Sequence, residues 1–162
     1  MAKEIHVRFG SKVPVDVRSI IEAYNISIHE EELEGTVSGI LMINEKTTNL
    51  VINNNHHWSR QRFTLAHELG HFLLHKDTAT VFIDESPLFF RDLKSAHSIN
   101  QKEVEANAFA AELLMPESVL KEEFKDSLLD VNDDVAVRSM ATKYGVSPPA
   151  LTIRLTRLGF IS

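Results

Sequence analysis

Residues 63–74 read FTLAHELGHFLL, and this stretch places His67 and His71 four positions apart, with Glu68 directly after the first histidine. Positions four apart on a helix lie one above the other on the same face, so both imidazoles can bind one ion. Glu68 lies about 100° around the helix from His67, where it can reach a water on that ion but cannot easily bind the ion itself. The stretch therefore predicts a helix over residues 59–75 with a zinc site, in which Glu68 is the base that activates water to attack a peptide carbonyl.

The residues around the two histidines separate a metal site from an ordinary core helix with incidental histidines. Leucine, alanine and phenylalanine make the stretch apolar nearly all round, which predicts that the helix is buried. Two imidazoles and a carboxylate would each cost free energy in such surroundings unless they were paired. Because one metal ion would satisfy all three groups together, we interpret the stretch as a metal site.

A third protein ligand would leave one coordination position open for water and substrate. We expect it from a second helix over residues 102–115, where Glu103 and Asn107 lie four apart on one face. Glu103 is the preferred ligand, and Asn107 can hydrogen-bond to another ligand. The alternative third ligands are Glu105, Asp77, His75 and His97. Since the chain has no cysteine, the ion is held by imidazole and carboxylate, a set that suits Zn²⁺ and also Mn²⁺ or Fe²⁺.

The overall composition is that of a globular protein of one domain. The 162 residues are 43% hydrophobic and 25% charged, which allows a sizeable core. The net charge of −6 argues against direct nucleic-acid binding, because a phosphate backbone needs a positive protein face. No apolar run resembles a signal peptide or is long enough to span a bilayer, so we expect a cytoplasmic protein with no membrane partner.

The order of the elements, a small sheet followed by helices, predicts the α+β class. We expect a small three-stranded antiparallel sheet packed with a helical bundle that carries the HExxH helix, with Ser59 as the N-cap of that helix. The predicted strands cover residues 26–29, 37–43 and 50–52, and further helices cover 17–24, 116–124, 135–144 and 148–158. The last two helices form a helix-turn-helix-like pair.

We expect a single metallopeptidase domain over residues 1–162. Within it, residues 1–130 form the catalytic core and the helical pair of residues 131–162 packs on that core. The long connection 77–101 contains a β-prone run at 81–83, which the predicted sheet does not include. Long connections are often functional.

The sequence resembles the ImmA/IrrE family of bacterial and phage metallopeptidases. The resemblance is carried by residues 53–57 (NNNHH), 60–71 (RQRFTLAHELGH) and 103–116 (EVEANAFAAELLMP), and it extends from about residue 14 to residue 160. It implies that His67, His71 and Glu103 match the family's metal ligands and that Glu68 matches its catalytic base. It also implies the substrate class, which is XRE-type helix-turn-helix transcriptional repressors cut to derepress mobile-element or stress genes.

A function of another class stays open at this point. From residue 135 to the end the chain has basic residues and no acid, which is compatible with a DNA- or repressor-binding regulatory module that has a structural metal site. The basic residues are Arg138, Lys143, Arg154 and Arg157. A structural site would have no need of Glu68, so the endopeptidase is the preferred hypothesis.

Other residues are candidates for the cleft. His56 and His57 directly precede the HExxH helix, where they either line the cleft or serve as polar residues at the junction. Tyr24 and Tyr144 are candidate oxyanion donors, and nothing in the sequence selects either. The apolar run PLFF at residues 87–90 forms a substrate lip if it is exposed and a core anchor if it is buried.

Overall fold

The computed structural model describes residues 1–84, 100–125 and 133–161. In chain order the elements are α1 (Ala2–Phe9), α2 (Val17–Ala23), β1 (Ile26–Glu31), β2 (Gly39–Ile43), β3 (Thr48–Asn53), α3 (Trp58–His75), β4 (Val81–Asp84), α4 (Asn100–Leu114), α5 (Glu117–Glu123), α6 (Asp134–Tyr144) and α7 (Pro148–Leu158). The predicted α+β class is confirmed, and α7 has the predicted bounds. His97 and the run 87–90 lie outside the described residues.

The chain forms two compact units. One unit, Asp16–Ala110, contains the sheet, α2 and α3, and the other joins Met1–Val15 to the described residues from Ala111 onward. The boundary between them falls within α4. Across the described ranges, no helix is both long enough and apolar enough to cross a membrane.

Within the described residues the sheet has four strands in the order β1-β3-β2-β4. β2 and β3 pair antiparallel, as predicted. β1 pairs with β3 in parallel, and β4 pairs antiparallel with the other side of β2. The predicted three-stranded antiparallel sheet is therefore wrong in the number of strands and in the direction of one pair.

Both differences have local physical causes. The link between β1 and β2 has to pass β3, and Asn53 holds it there by donating from Nδ2 to the backbone oxygens of Leu33 and Val37 at 3.0 and 2.9 Å. A single amide that fixes a link leaves no periodic pattern in the sequence. β4 is only four residues long, and its Val81 and Ile83 are about half exposed, so its apolar run resembles a loop.

α3 contains an unbroken run of buried residues, 63–71, and one side of this run packs on the sheet. Leu41, Leu50 and Ile52 on the two central strands are also fully buried. Each side chain of this size stabilises the fold by about 1.5–3 kcal/mol when it leaves water, so the apolar residues hold the helix on the sheet. The same packing takes the histidines and the glutamate of the HExxH stretch into the interior.

α3 begins at Trp58, and its N-cap is His57 rather than the predicted Ser59. The Nδ1 atom of His57 accepts a hydrogen bond from the Ser59 amide at 3.3 Å and lies 2.8 Å from the Ser59 hydroxyl. A ring nitrogen without a hydrogen can accept a hydrogen bond from one of the unpaired amides in the first turn of a helix, as a serine oxygen would. The prediction was wrong because histidine is not among the usual capping residues.

The second unit contains the predicted pair of C-terminal helices. Asp133 caps α6 by accepting from two backbone amides, and Gly145 ends it at a φ of 68°, which favours glycine. Arg154 on α7 pairs with Glu112 and donates to the backbone oxygen of Met115 at 3.2 Å. The predicted boundary at residue 130 stays a prediction, because residues 126–132 lie outside the described ranges.

Candidate metal centre

His67 and His71 occupy one face of α3, with their rings edge to face and their centroids 4.6 Å apart. Their Nε2 atoms are 3.0 Å apart, and the side chains are 3% and 2% exposed. Two nitrogen lone pairs this close repel each other unless a proton or a cation lies between them. The spacing of the two residues on the helix thus brings their ring nitrogens to one point, as the sequence predicts.

Gly70 allows a second helix to approach this face. A Cβ atom at Gly70 would lie 3.0 Å from Cδ1 of Phe109 and 3.2 Å from Cα of Ala106, both on α4. These distances are shorter than ordinary van der Waals contacts between carbon atoms, so a larger residue would separate the helices. The close crossing brings Glu103 and Asn107 of α4 against the two histidines.

The carboxylate of Glu103 completes a triangle of atoms that can bind a metal. Its Oε2 is 3.2 Å from Nε2 of His67, and its Oε1 is 3.1 Å from Nε2 of His71. Ligand atoms at about 2.0–2.1 Å from zinc in tetrahedral geometry are about 3.3 Å from each other, which is close to these distances. The three residues therefore fit one metal ion in both donor chemistry and spacing.

Asn107 fixes the orientation of one of the imidazoles. Its Oδ1 is 3.0 Å from Nδ1 of His67. An amide oxygen only accepts, so Nδ1 carries a hydrogen, and whenever the ring is neutral the lone pair of Nε2 is directed at the centre of the triangle. The ring of His71 is held instead by packing, because Phe82 of β4 stacks on it at a centroid distance of 4.7 Å.

Glu68 lies beside the triangle without belonging to it. Its side chain is fully buried, and neither carboxylate oxygen has a hydrogen-bond partner in the described part of the chain. Burial raises the pKa of Glu68 to about 8, with His67 opposing the rise and Asp84 and Glu103 adding to it. A carboxyl group whose pKa lies near neutrality can accept a proton and return it during a reaction.

The space that Glu68 occupies depends on a glycine in the neighbouring strand. A Cβ atom at Gly39 of β2 would lie 2.5 Å from Cγ2 of Thr64 and 3.3 Å from Oε1 of Glu68. Thr64 is fully buried and cannot move into solvent. The bare backbone of Gly39 therefore lets α3 lie close to the sheet with the Glu68 carboxylate between them.

The metal-free centre favours positive charge. Burial would lower the pKa of His67, but its hydrogen bond to Glu103 and the carboxylates of Glu68 and Asp84 raise that pKa to about 9. The pKa of Glu103 falls below its usual range, because the two histidines outweigh the effect of burial. The pKa of His71 is lowered, mainly by burial. A proton on His67 thus occupies the region that a metal ion would occupy.

Asp84 is a residue of the site that the sequence analysis missed. It is the last described residue of β4, is 8% exposed, and offers a carboxylate oxygen within 4.8 Å of ligand atoms of both His67 and Glu68. The alternation of the strand places Phe82 and Asp84 on one face, and this could have identified Asp84 if the strand had been recognised. An aspartate that ends a short apolar run and is followed by ESP reads instead as a turn.

The alternative third ligands that the structure describes do not join the triangle. Glu105 pairs with Nε2 of His75 at 3.5 Å, and its side chain is 43% exposed. Asp77 is exposed just beyond the end of α3. Among the described residues, Glu105, His75 and Asp77 do not belong to any group of three side chains whose ligand atoms converge.

The remaining candidates have structural surroundings of their own. His57 caps α3, and His56 is partly buried, with its pKa lowered mainly by burial. Tyr144 donates to Oε2 of Glu123 at 2.7 Å within the second unit. Tyr24 packs edge to face on the ring of Phe72. These contacts do not select either tyrosine as an oxyanion donor.

Comparison with known proteins gives the family. Residues 21–156 match the IrrE N-terminal-like domain of peptidase family M78, which is most of the chain. The chain belongs to this metallopeptidase family. The resemblance to the ImmA/IrrE peptidases is therefore confirmed, and membership of a metallopeptidase family implies a metal ion. The group of His67, His71 and Glu103 could hold such an ion.

Two individual relatives agree with this M78 assignment. The chain is 32% identical over 130 residues to a protein of Bacillus phage phi105 named uncharacterized immunity region protein 2, covering 80% of this chain and 74% of the relative. It is 30% identical over 107 residues to metallopeptidase ImmA of Bacillus subtilis strain 168. The latter match covers 66% of this chain and 58% of the relative, so it spans less than two thirds of that protein.

Proposed function

We propose that this chain is a zinc-dependent endopeptidase that cuts an XRE-type helix-turn-helix repressor in the cytoplasm and thereby derepresses mobile-element or stress genes. His67, His71 and Glu103 would be the metal ligands, and Glu68 the catalytic base. The observation that carries the proposal is the carboxylate of Glu68, which is fully buried beside the metal-binding triangle and has no partner among the described residues. Burying a carboxylate without a partner costs free energy, and a purely structural metal site gives no reason for that cost.

The chemistry of the donors supports a catalytic ion. Catalytic zinc sites use three protein ligands and keep a fourth position open, and the described residues bring three such side chains together. Bound there, the ion would polarise a peptide carbonyl and acidify water. Two imidazoles and a carboxylate also accept Mn²⁺ or Fe²⁺, so the choice of zinc belongs to the proposal.

The residues of the chain divide the remaining work. Glu68, with a pKa near neutrality in the metal-free chain, takes the proton of the attacking water and passes it to the leaving nitrogen. Asn107 keeps Nε2 of His67 directed at the ion through the 3.0 Å contact with Nδ1. The apolar residues of the α3 run exclude water from the interior side of the site, which strengthens these electrostatic interactions.

A repressor as substrate is supported by the family and by charge. The phage phi105 relative is named as an immunity-region protein, and the ImmA/IrrE resemblance implies repressor cleavage. DNA-binding proteins carry a positive face, and the net charge of −6 on this chain favours encounter with such a face.

The DNA-binding alternative loses its main support in the second unit. Basic side chains that suggested it pair with carboxylates in the described residues. The pairs are Arg138 with Asp134, Lys143 with Glu123, and Arg154 with Glu112. Such pairing removes much of the positive field that phosphate binding requires.

The test is to incubate the purified zinc-loaded protein with the repressor encoded beside it and to follow the repressor by mass spectrometry. We expect one discrete cut that a chelator prevents. Glu68→Gln should abolish the cut while the protein still binds one tight equivalent of zinc, because the amide keeps the shape of the side chain and is not a ligand. Glu105→Gln, which removes an exposed carboxylate of α4, is the matched control and should leave the cut intact.

A repressor that stays whole with zinc, manganese and iron would refute the repressor as substrate. A cut that survives Glu68→Gln would refute the role of the base. Loss of tight zinc binding in Glu68→Gln would instead make Glu68 a ligand and the site a structural one.

A further inference from the structure

We propose that Glu68 and Asp84 form a second site for a divalent cation beside the first, and that a cation bound there inhibits hydrolysis by occupying the carboxylate of the base. The binding is independent of the function proposed above, whereas the inhibition rests on it. The proposal uses residues of one unit only, Asp16–Ala110.

The strand β4 directs two side chains at α3. Its alternate residues Phe82 and Asp84 are the less exposed ones, whereas Val81 and Ile83 are about half exposed. Phe82 stacks on the ring of His71. Asp84 is two residues further along the strand, and its carboxylate lies within 4.8 Å of a ligand atom of His67, one helical turn before His71. That turn carries Glu68.

The sheet register gives the same direction independently. Asp84 stands directly opposite Gly39 in the antiparallel pair of β2 and β4, and directly opposite residues project to the same face of a sheet. A Cβ atom at Gly39 would lie 2.5 Å from Cγ2 of Thr64 and 3.3 Å from Oε1 of Glu68, so the Glu68 carboxylate lies against the face of the sheet to which Asp84 also projects.

The donor set of this space suits a cation. Ligand atoms of His67, Glu68 and Asp84 lie within 4.8 Å of one another, and all three residues are buried. Both oxygens of Glu68 are buried without a hydrogen-bond partner in the described part of the chain. One water on the first ion would satisfy one of these oxygens and leave the other without a partner among the described residues. A cation between the two carboxylates would satisfy it.

The second site should be weaker than the first. His67 presents its Nε2 to the first ion, so the second ion has only the two carboxylates of Glu68 and Asp84 as protein ligands and takes water for the rest. The first site therefore fills at limiting metal, and the second fills only at excess. Once it is filled, Glu68 cannot accept a proton from water, and hydrolysis stops.

The binding test is calorimetric titration of the metal-free protein of residues 1–162 with zinc chloride. We expect two binding events, the second weaker than the first. Asp84→Asn should keep the first event and weaken the second about 100-fold or more. Residues that only hydrogen-bond to a ligand already change metal affinity by about 10–100-fold, and loss of a ligand itself should have a larger effect. Asp77→Asn is the matched control, since it removes the same charge from an exposed aspartate just beyond α3 and should keep both events.

Three results would overturn the second site. These are a single binding event in the wild-type protein, an undiminished second event in Asp84→Asn, and loss of the first event in Asp84→Asn, which would place Asp84 in the first site. If Asp84→Asn does not fold by circular dichroism, the isosteric Glu68→Gln replaces it and should likewise lose only the second event.

The inhibition is tested separately with the repressor assay. At free zinc about ten times the dissociation constant of the second event, occupancy is about 90%, so the rate should fall about tenfold from its value at one equivalent. In Asp84→Asn the ratio of the two rates should stay near one at the same zinc concentration. Inhibition of equal size in both proteins would overturn the regulatory role, even if the second ion binds. A repressor that is never cut would refute the peptidase function but leave the calorimetric result standing.

Discussion

Replacing Asn107 by alanine tests how the centre holds its first histidine. The substitution removes the oxygen that lies 3.0 Å from Nδ1 of His67 and leaves an N–H group unpaired in a side chain that is only 3% exposed. An unsatisfied buried donor costs about 1–3 kcal/mol, which corresponds to about 5- to 150-fold in an equilibrium constant. Residues that orient metal ligands are worth about 10–100-fold in metal affinity. We therefore expect Asn107→Ala to raise the dissociation constant of the first zinc about 10–100-fold.

The assay is competition for zinc against a chelator of known affinity, with circular dichroism as a check on folding. Asn107→Asp keeps an acceptor at the same place and should bind zinc at least as tightly as the wild-type protein. Gln101→Ala removes an exposed amide from the same helix and should change the affinity by no more than about twofold, as is usual for surface positions. If Asn107→Ala binds zinc within about twofold of the wild type, His67 is oriented by packing alone and the reasoning fails.

Three further substitutions test other parts of the structure. Gly39→Ala would place a methyl group 2.5 Å from Cγ2 of Thr64. We therefore expect the free energy of unfolding to fall by about 1–3 kcal/mol and kcat to fall, while zinc affinity is retained. An unchanged kcat would contradict this expectation. Asp16→Ala removes the cap that accepts from the Ser19 amide and should cost about 1 kcal/mol at pH 7 by urea unfolding. Hydrogen bonds from Ser19 are the main reason that the pKa of Asp16 is lowered in the folded protein. The stabilisation by the ionised cap is therefore present above pH 3.8 and should shrink as the pH falls below that value. If the difference in unfolding free energy between the wild type and Asp16→Ala persists in acid, the ionised cap is refuted. Asn53→Ala removes the hydrogen-bond donor of two backbone oxygens in the link between β1 and β2. We expect the free energy of unfolding to fall by about 1–3 kcal/mol and amide hydrogen exchange in the link to become faster. Unchanged exchange in the link would show that other contacts hold it.

The site was more predictable from the sequence than the sheet. The four-residue spacing of His67 and His71, and of Glu103 and Asn107, follows from helix geometry, which a sequence displays directly. Both pairs face each other in the structure. The sequence also displays the apolar surroundings that bury α3. The approach of the second helix to α3 also follows the prediction, whereas the part that Gly70 plays in that approach depends on its contacts with Phe109 and Ala106, which no periodic pattern displays.

The features that the sequence analysis predicted wrongly or missed are those that depend on a single contact. The parallel pairing of β1 with β3 depends on a link held by Asn53, and the cap of α3 depends on one ring nitrogen of His57. Asp84 escaped notice because its position depends on β4, a four-residue strand whose register is set by β2. Propensity and periodicity average over many residues and cannot resolve such single contacts.

The most direct measurement is anomalous X-ray scattering at the zinc absorption edge from crystals of the protein loaded with one equivalent of zinc. The account predicts one strong peak bonded to Nε2 of His67, to Nε2 of His71 and to the carboxylate of Glu103, with the carboxylate of Glu68 within reach of a solvent atom on the ion but not bonded to the ion. A peak elsewhere, or a fourth protein side chain bonded to the zinc, would contradict it.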